Sequence, residues 1–477
     1  MENSNIKNGV KHQTIAFLAV PFLPQGHLTA ILNFTYLLTN YGFPVHVAAP
    51  GQHNRQAKLR LQVSDPNDFC GKIQFHDLQL PNFSSPPPNP NHDPSVQFPD
   101  HLQPLFDIIP KLRQPVFELV AELAQKYTKL IIIHDYFMAF VVQDAKTIPN
   151  VELYNFIAPS AFTTFFHYWE TMPGNNPLVL GSQVIDPSIV PTNDGCFTPE
   201  FVEFLAKQEK LLGSESGFLI NTSRVIEGTY VDLLESLSVK TYAVGPFHPI
   251  PEPEKDQLPN KERNICLQWL DKQKTESSVI LVAFGSATTL HEKQIEELAI
   301  GLERSGQKFI WALRSADKGN EETEGGVTNL SALLPEGYEE MIKDKGIVVR
   351  EWVPQLEILA HPSIGGFLSH CGWLSCLESM SMGVPIATWP IHSDHPKNAT
   401  FVTEVLKIGV VVRDWAKRSE IVKSITIENA IRKLMDSEEG LEIRKNVQRV
   451  CVDVRRAMAE GGASRLEMDS FVARVTK

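Results

Sequence analysis

Residues 279–313 read VILVAFGSATTLHEKQIEELAIGLERSGQKFIWAL, and this stretch predicts the fold most directly. It begins and ends with a short apolar run. Between the two runs lies one apolar helical face, made by Ile295, Leu298, Ala299 and Leu302. Thr289 and Glu292 predict a capping box at the start of this helix, and Gly306 predicts its end. A strand, a helix and a second strand in this order form a βαβ unit with parallel strands.

The same alternation of apolar runs and helical patterns extends over both halves of the chain. Strands of the first half are predicted at 15–20, 45–49, 73–78, 130–134, 151–156, 218–221 and 242–245. Strands of the second half are predicted at 279–284, 309–313, 347–351, 366–370, 386–389 and 410–413. We therefore predict an α/β protein with two Rossmann-like, doubly wound domains.

A segment without periodicity separates the halves. Residues 248–264, HPIPEPEKDQLPNKERN, are rich in proline and charge, which is typical of a linker. We predict a first domain over 1–247 and a second over 265–459, with the tail 460–477 packing back on the first. Sheets of this kind bind ligands beyond the carboxyl ends of their strands, so we expect a site in the cleft between the domains.

Composition excludes several classes of protein. The 477 residues include 44 Lys and Arg against 56 Asp and Glu, and the net charge of -12 argues against a nucleic-acid partner. The N-terminal residues are polar, and no apolar stretch reaches the roughly 18 residues of a membrane span. Six scattered cysteines do not form a disulfide framework. We predict a cytoplasmic monomer with reduced cysteines that binds neither membrane nor nucleic acid.

A histidine and an aspartate are predicted at the same edge of the first sheet. The first strand leads into the turn that holds Gly26 and His27, and the strand at 130–134 leads directly into Asp135. A helix N-terminus should keep the imidazole neutral and basic, so the pair could be a general base with its orienting carboxylate. From position alone, the more frequent role of both residues is to cap helices.

Two strand ends of the second half are suited to an anion. Gly285 and Ser286 end one strand before a helix, and the run 370–375, HCGWLS, ends another. Backbone N–H groups at helix N-termini favour phosphate. Trp352 offers a stacking face for a base and Glu378 could accept both hydroxyls of a ribose, although such residues more often pack or face solvent.

Other site classes fit less well. The chain contains no GxGxxG, no Walker A loop and no GxSxG of a serine hydrolase after a strand. His392 and His395 have HxxH spacing and lie near His370 in sequence, so a metal site is conceivable. No compact Cys/His quartet, HExxH or DxD triplet accompanies them, and we predict no metal.

One dense run of residues is more specific than any single motif. It extends from Trp352 to His395 and contains WVPQ, HCGW, GVP and a final Asp394-His395. In content and spacing it resembles the 44-residue signature box of plant family 1 UDP-glycosyltransferases. Similar landmarks cover the chain: PFLPQGH at 21, NTSRVIEGTY at 221, CLQWLDKQ at 266, VAFGS at 282 and LPEGY at 334. Within the family, the chain looks most similar to the zeatin O-glycosyltransferase branch.

The resemblance implies a GT-B fold, in which the first domain binds the acceptor and the second binds a UDP-sugar co-substrate, with no other cofactor. It implies that His27 is the general base and that Asp135 orients it. The residues implied to contact the donor are Gly285, Ser286, Trp352, Val353, Gln355, His370, Gly372, Trp373, Leu374, Ser375, Glu378, Asp394 and His395. Trp352 would stack on uracil and Glu378 would take the ribose hydroxyls. Three of the set would face the sugar: Trp373, Asp394 and His395.

The implied activity is an inverting transfer of a hexose, with glucose favoured, to a hydroxyl of a small plant metabolite such as zeatin, a flavonoid or another phenolic. UDP-galactose, UDP-arabinose or UDP-xylose remain alternative donors. A C-glycoside or a sugar-on-sugar bond remains an alternative product. A protein of another class, which binds UDP-sugar without turnover, is the second hypothesis, and the presence of both His27 and Asp135 argues against it.

Two positions depart from the family. Leu374 stands where the family has asparagine, and this loss of an amide is expected to weaken donor binding by about 1 kcal/mol. His395 stands where glucosyltransferases have glutamine, and in the family histidine there is associated with galactose or pentose donors.

Overall fold

The computed structural model describes residues 14–60, 71–89, 98–171, 184–213, 215–237, 240–249, 264–317, 319 and 333–477. Within these parts the chain forms two parallel sheets, as predicted. The strands of the first sheet are β1 (Ile15–Val20), β2 (Val45–Pro50), β3 (Ile73–Leu78), β4 (Lys129–Asp135), β5 (Val151–Ile157), β6 (Phe218–Ile220) and β7 (Thr241–Ala243). Those of the second are β8 (Val279–Ala283), β9 (Lys308–Ala312), β10 (Gly346–Val349), β11 (Ile364–Ser369), β12 (Ile386–Thr388) and β13 (Gly409–Val411).

Both sheets are doubly wound. The strand order is β3-β2-β1-β4-β5-β6-β7 in the first sheet and β10-β9-β8-β11-β12-β13 in the second. The order reverses between β1 and β4, where Val20 pairs with His134, and between β8 and β11, where Ala283 pairs with Ser369. The residues that follow these four strands therefore lie at the two crevices where such sheets bind ligands.

Helices cover both sheets. They are α1 (Gln25–Thr39), α2 (Gly51–Leu59), α3 (Gln103–Ile108), α4 (Arg113–Lys126), α5 (Ala139–Val142), α6 (Ala161–Thr171), α7 (Pro199–Glu209), α8 (Arg224–Ser236), α9 (Ile265–Leu270), α10 (Glu292–Ser305), α11 (Tyr338–Ile342), α12 (Gln355–Leu359), α13 (Trp373–Met382), α14 (His395–Thr400), α15 (Ser424–Asp436), α16 (Glu438–Met458) and α17 (Ala463–Val475). The predicted capping box of α10 is wrong, because His291 caps this helix and its Nδ1 accepts the Lys293 N–H at 3.2 Å. Gly306 ends the helix as predicted, in the left-handed conformation with φ 72°.

The last helix contributes to the core of the first sheet. Met468, Phe471 and Val475 of α17 are buried there, and the Phe471 ring centroid lies 5.1 Å from that of Tyr154. Helix α17 therefore packs on the first sheet. Most of the predicted linker, residues 250–263, lies outside the described residues, so the domain bounds stay a prediction.

Two further features bear on the expectations from composition. No helix in the described part of the chain is both long and apolar enough to cross a membrane. The described cysteines are free and buried: Cys196, Cys266, Cys371, Cys376 and Cys451. Cys70 lies outside the described residues.

Candidate active site

A cavity of about 340 Å³ opens at the carboxyl ends of both sheets. Its walls include His27 and every residue predicted to contact the donor: Gly285, Ser286, Trp352, Val353, Gln355, His370, Gly372, Trp373, Leu374, Ser375, Glu378, Asp394 and His395. Asp135 does not line the cavity, because it is fully buried behind His27. The thirteen predicted donor residues, which are spread over positions 285–395, are thus brought together with His27 of the first domain.

His27 and Asp135 form a hydrogen-bonded pair. His27 is the third residue of α1, and Asp135 is the last residue of the neighbouring strand β4. The distance between His27 Nδ1 and Asp135 Oδ2 is 2.8 Å, and Asp135 Oδ1 accepts the backbone N–H of Phe137 at 3.0 Å. A carboxylate only accepts, so Nδ1 carries the proton. The lone pair of His27 is therefore on Nε2, as a general base requires.

The pKa of His27 is shifted opposite to the direction expected from a helix N-terminus. A helix N-terminus was expected to keep the imidazole neutral, but the pKa of His27 is raised above its usual 6.5. Burial lowers this pKa, and the charge and hydrogen bond of Asp135, together with the charge of Asp394, outweigh it. The Asp135 carboxylate at 2.8 Å favours the charged form of the ring, which is opposite to the effect expected from the helix N-terminus. The result is a stronger base that needs a higher pH to be unprotonated.

Two glycine turns enclose His370. A Cβ on Gly285, which has φ +77°, would meet His370 Nε2 at 2.7 Å, and a Cβ on Gly372 would meet it at 2.6 Å. Gly372 is also the N-cap of α13, so the first backbone N–H groups of the helix, which have no acceptor within the helix, lie beside the imidazole. Burial lowers the pKa of His370 to about 4, which keeps the ring neutral. This turn can donate hydrogen bonds to an anion.

A carboxylate and an amide stand next to each other near Trp352. Gln355 Nε2 donates to Glu378 Oε2 at 2.6 Å and to Ser375 Oγ at 3.0 Å. Glu378 is 2% exposed, and burial raises its pKa to about 7. A buried carboxylate with one partner has acceptor capacity left, and two vicinal hydroxyls would satisfy it.

His395 is held in one tautomer. Its Nδ1 accepts the backbone N–H of His392 at 3.3 Å, and burial lowers its pKa well below the usual value. The neutral ring therefore carries its proton on Nε2, which lies 3.9 Å from Asp394 Oδ1, too far for a hydrogen bond. Asp394 instead accepts from Asn398 Nδ2 at 2.7 Å. His395 thus offers the cavity one N–H donor and no acceptor.

The three histidines considered for a metal do come together. The ring centroids of His370 and His395 are 4.8 Å apart, and those of His392 and His395 are 4.4 Å apart. Within the described parts of the chain, however, no three His, Cys, Asp or Glu side chains are arranged to hold a metal ion. The backbone N–H on His395 Nδ1 occupies one of the nitrogens that a metal would need.

Trp373 and Leu374 are the first two residues of α13, and their side chains make different contacts. The Trp373 indole is 3% exposed, and its Nε1 donates to the backbone oxygen of Asn221 in the first domain at 2.8 Å. Its side chain therefore joins the domains, and its backbone N–H contacts Asp394. Leu374 lines the cavity with an apolar side chain where an amide was expected from the family.

An aromatic wall in the same cavity was not predicted from the sequence. Phe22 and Phe137 flank His27, with ring centroids 5.2 and 5.3 Å from the imidazole. The wall continues through other phenylalanines of the first domain: Phe98, Phe106, Phe197 and Phe201. These residues come from four separate segments and share no pattern, so only Phe22, inside PFLPQGH, and Phe137, two residues after Asp135, could have been suggested by sequence.

Polar groups of the first domain adjoin this wall. Asn193 Nδ2 donates to His167 Nδ1 at 3.1 Å, and His167 Nε2 lies 2.7 Å from Glu209 Oε1. Lys397 of the second domain donates to Asn193 Oδ1 at 2.6 Å. Tyr168, His167 and Asn193 all line the cavity. The first-domain side of the cavity is thus apolar around His27 and has polar groups elsewhere.

Known proteins resemble this chain over its whole length. The family pattern described as "Glycosyltransferase, N-terminal domain" matches residues 13–249, and the one described as "UDP-glucoronosyl and UDP-glucosyl transferase" matches residues 259–451. A zeatin O-glucosyltransferase of Phaseolus lunatus is 45% identical over 471 residues, which cover 98% of each chain. A zeatin O-xylosyltransferase of Phaseolus vulgaris is also 45% identical, over 465 residues that cover 97% of this chain and 98% of the relative.

A solved structure shares the arrangement of both domains. A UGT transferase from Siraitia grosvenorii in complex with UDP superposes with a TM-score of 0.72 at 28% identity. The superposition covers 97% of this chain and 100% of that one.

Proposed function

The chain belongs to the UDP-glucoronosyl and UDP-glucosyl transferase family, and on this basis we propose that it transfers the sugar of a UDP-sugar to the side-chain hydroxyl of zeatin. It is a UDP-sugar-dependent glycosyltransferase with a GT-B fold. The observation that carries the proposal is the hydrogen bond between His27 Nδ1 and Asp135 at 2.8 Å, which leaves Nε2 free to act as a base in the cavity lined by the proposed donor residues.

In the proposed reaction, His27 Nε2 takes the proton of the acceptor hydroxyl. The oxygen attacks the anomeric carbon while the bond from that carbon to the diphosphate oxygen breaks, and UDP leaves with the electron pair. A single displacement inverts the anomeric configuration. Asp135 stabilises the imidazolium that forms, because its buried carboxylate already binds Nδ1.

The leaving diphosphate would lie at the glycine turns. His370, Ser286 and the backbone N–H groups that follow Gly372 line the cavity there and would donate hydrogen bonds to it. Trp352 and Val353 would hold the uracil, and Gln355 and Glu378 the ribose. The dipole of the ten-residue helix α13 favours negative charge at this point.

The acceptor side of the cavity supports zeatin as the substrate. Zeatin carries its hydroxyl at the end of a slender hydrocarbon arm on a flat purine. The rings of Phe22 and Phe137 beside His27 suit the arm, and the polar groups of Tyr168 and Asn193 suit the nitrogens of a purine. A flat phenolic such as a flavonoid would also contact the aromatic wall, and it is the acceptor to compare.

The donor sugar is proposed to be glucose, with xylose as the alternative. The two relatives of equal identity are named for these two sugars. His395 can donate one hydrogen bond but cannot accept one, whereas glutamine can do both. We expect His395→Gln to change the ratio of rates with UDP-glucose and UDP-xylose, and an unchanged ratio would remove His395 from donor selection.

The test is a UDP-release assay with zeatin and each UDP-sugar, coupled to mass spectrometry of the product. N6-isopentenyladenine, which is zeatin without the hydroxyl, is the matched acceptor control and should give no product. A flavonol is the comparison acceptor. Faster transfer to the flavonol than to zeatin would contradict the proposed substrate, and no transfer to either would contradict the proposed acceptor class.

Three expectations from the sequence are also kept as proposals. Residues 1–247 would bind the acceptor, and residues 265–459 would bind the UDP-sugar. The protein would act as a cytoplasmic monomer.

A further inference from the structure

Three charged residues from both domains meet beside Trp352, and the proposed donor site does not use them. Arg60 follows α2 in the first domain, whereas Arg314 and Asp317 follow β9 in the second. Arg60 donates to both carboxylate oxygens of Asp317, with distances of 2.5 Å from Nη1 to Oδ2 and 3.0 Å from Nη2 to Oδ1. Arg314 Nη2 donates to the same Oδ1 at 2.6 Å. We name Arg60, Arg314 and Asp317 the Asp317 cluster.

The Asp317 cluster packs on the Trp352 indole. The Cζ atom of Arg60 lies 4.4 Å from the centroid of the indole ring, and that of Arg314 lies 5.1 Å from it. The side chains of Arg60, Arg314 and Asp317 are 9, 12 and 13% exposed. Arg60 Nη1 also donates to Gln25 Oε1 at 3.1 Å, in the first turn of the helix that carries His27. The cluster therefore connects the indole with the start of α1.

The backbone of Asp317 is fixed from both domains. Its N–H donates to the oxygen of Ser286 at 2.7 Å, and its oxygen lies 3.0 Å from His101 Nε2 of the first domain. Burial would raise the pKa of the Asp317 carboxyl, but the arginines outweigh burial and the pKa lies below its usual value. The carboxylate is thus an ionised, well-fixed anchor for both guanidinium groups.

One guanidinium nitrogen of this cluster has no partner in the described part of the chain. Arg314 Nη1 is buried and finds no hydrogen-bond acceptor among the described residues, and Arg314 lines the cavity together with Trp352. A buried charged N–H group without an acceptor is unfavourable, so an acceptor supplied by a ligand would stabilise it. The hydrogen bond from Arg314 Nη2 to Asp317 restricts the rotation of the guanidinium group and so the position of Nη1.

The place of Arg314 in the sheet indicates which part of the donor it faces. Trp352 follows β10 and Arg314 follows β9, which pair at one edge of the sheet. The residues assigned to the diphosphate, Ser286 and His370, follow the central strands β8 and β11. Arg314 therefore lies with the indole, on the base side of the site.

We propose that Arg314 is a donor-binding residue whose Nη1 donates a hydrogen bond to a carbonyl oxygen of the uracil base. Arg60 and Asp317 are positioning residues that hold its guanidinium, and Arg60 does so from the other domain. This inference rests on the proposed function, in which uracil lies at Trp352. The binding site for uracil would then be formed by residues of both domains.

The test measures the affinities of the full-length protein for uridine and UDP by calorimetry. Arg314→Ala should weaken both by the same factor, about ten- to hundredfold for one charge-assisted hydrogen bond. Arg314→Gln keeps a donor for Asp317 but lacks Nη1, and it should show the same loss with an unchanged melting temperature. A loss for UDP without a loss for uridine would place Arg314 on a phosphate and overturn the assignment, as would unchanged affinities.

Arg113→Ala is the matched control. Arg113 also binds an aspartate, Asp144, with two nitrogens, at 2.6 and 2.8 Å, and stacks on a ring, but it lies outside the cavity. Its loss should leave uridine affinity unchanged. A comparable loss in this variant would show a general effect of removing an arginine pair and would overturn the inference.

The positioning role is tested by a double-mutant cycle. Arg60→Ala and Asp317→Asn should each weaken uridine binding, and the double variant should be no weaker than the weaker single variant. Arg60→Lys should not restore affinity, because lysine cannot bind two oxygens and stack on the indole at once. Additive losses, or a lower melting temperature without a change in uridine affinity, would overturn this role.

These experiments separate the inference from the proposed function. Uridine binding needs no acceptor and no transfer. If the wild-type protein binds neither uridine nor UDP, the proposed function and the inference are both overturned. If the wild-type protein binds both ligands and Arg314→Ala binds them with the same affinity, only the inference is overturned.

Discussion

Replacing Asp135 by asparagine should remove most of the transferase activity without changing the shape of the site. Asp135 Oδ2 binds His27 Nδ1 and Asp135 Oδ1 binds the Phe137 N–H, so both oxygens act as acceptors. Asparagine has a single oxygen. If this oxygen stays on Phe137, the amide nitrogen donates to His27 Nδ1 and the ring proton moves to Nε2, which then cannot act as a base.

The magnitude follows from these two bonds. If the asparagine oxygen stays on His27, the partly buried Phe137 N–H loses its acceptor, at a cost of about 1 kcal/mol in stability. The imidazolium in the transition state also loses a charged partner at 2.8 Å. A charge-assisted bond contributes about 1.5–3 kcal/mol, so kcat/KM should fall about ten- to hundredfold from this loss alone. The wrong tautomer would lower it further.

The assay is kcat/KM for UDP release as a function of pH. In the wild-type protein, activity should fall as the pH drops through the pKa of His27, which lies above 6.5. In Asp135→Asn, burial of the ring lowers this pKa without opposition from the carboxylate, so the acid limb should move to lower pH. UDP affinity should stay unchanged.

Asp144→Asn is the matched control, because Asp144 also binds two nitrogen donors but lies 39% exposed on the surface, and its loss should leave the profile unchanged. The reasoning is refuted if Asp135→Asn keeps kcat/KM within about threefold of wild type with the acid limb in place.

Three further variants test the donor side. Glu378 has a pKa of about 7 without ligand, and the ribose hydroxyls would favour its ionised form. The affinity for UDP, measured by calorimetry, should therefore weaken as the pH falls below about 7. This pH dependence should be absent in Glu378→Gln. Gly285→Ala would place a Cβ 2.7 Å from His370 Nε2 in a left-handed backbone conformation, and UDP affinity should fall about tenfold or more, with the melting temperature as a check on folding. Leu374→Asn should lower KM for the donor about fivefold by restoring one hydrogen bond, and an unchanged KM would show that the turn already compensates.

Much of the fold follows from local sequence patterns. Every predicted strand is present, because runs such as 279–284 are buried on both faces of a parallel sheet and must be apolar along their whole length. The predicted site residues other than Asp135 line one cavity because they lie beyond the carboxyl ends of parallel strands. Strand ends are therefore the most informative positions in this kind of chain.

The features that were missed depend on contacts between distant parts of the chain. The start of α10 was misplaced because a capping box is one of several local solutions, and His291 supplies another. The pKa of His27 depends on a carboxylate 108 residues away. The contact between Arg60 and Asp317 joins two domains, and no local pattern indicates it. Such contacts need the tertiary structure.

The stereochemistry of the product tests the central claim most directly. One base, His27, and one displacement require that the anomeric configuration of the sugar inverts. Proton NMR of the glycoside formed from zeatin and an α-linked UDP-sugar should show a β linkage, and His27→Ala should form none while still binding UDP. An α-linked product, or undiminished transfer by His27→Ala, would contradict the account.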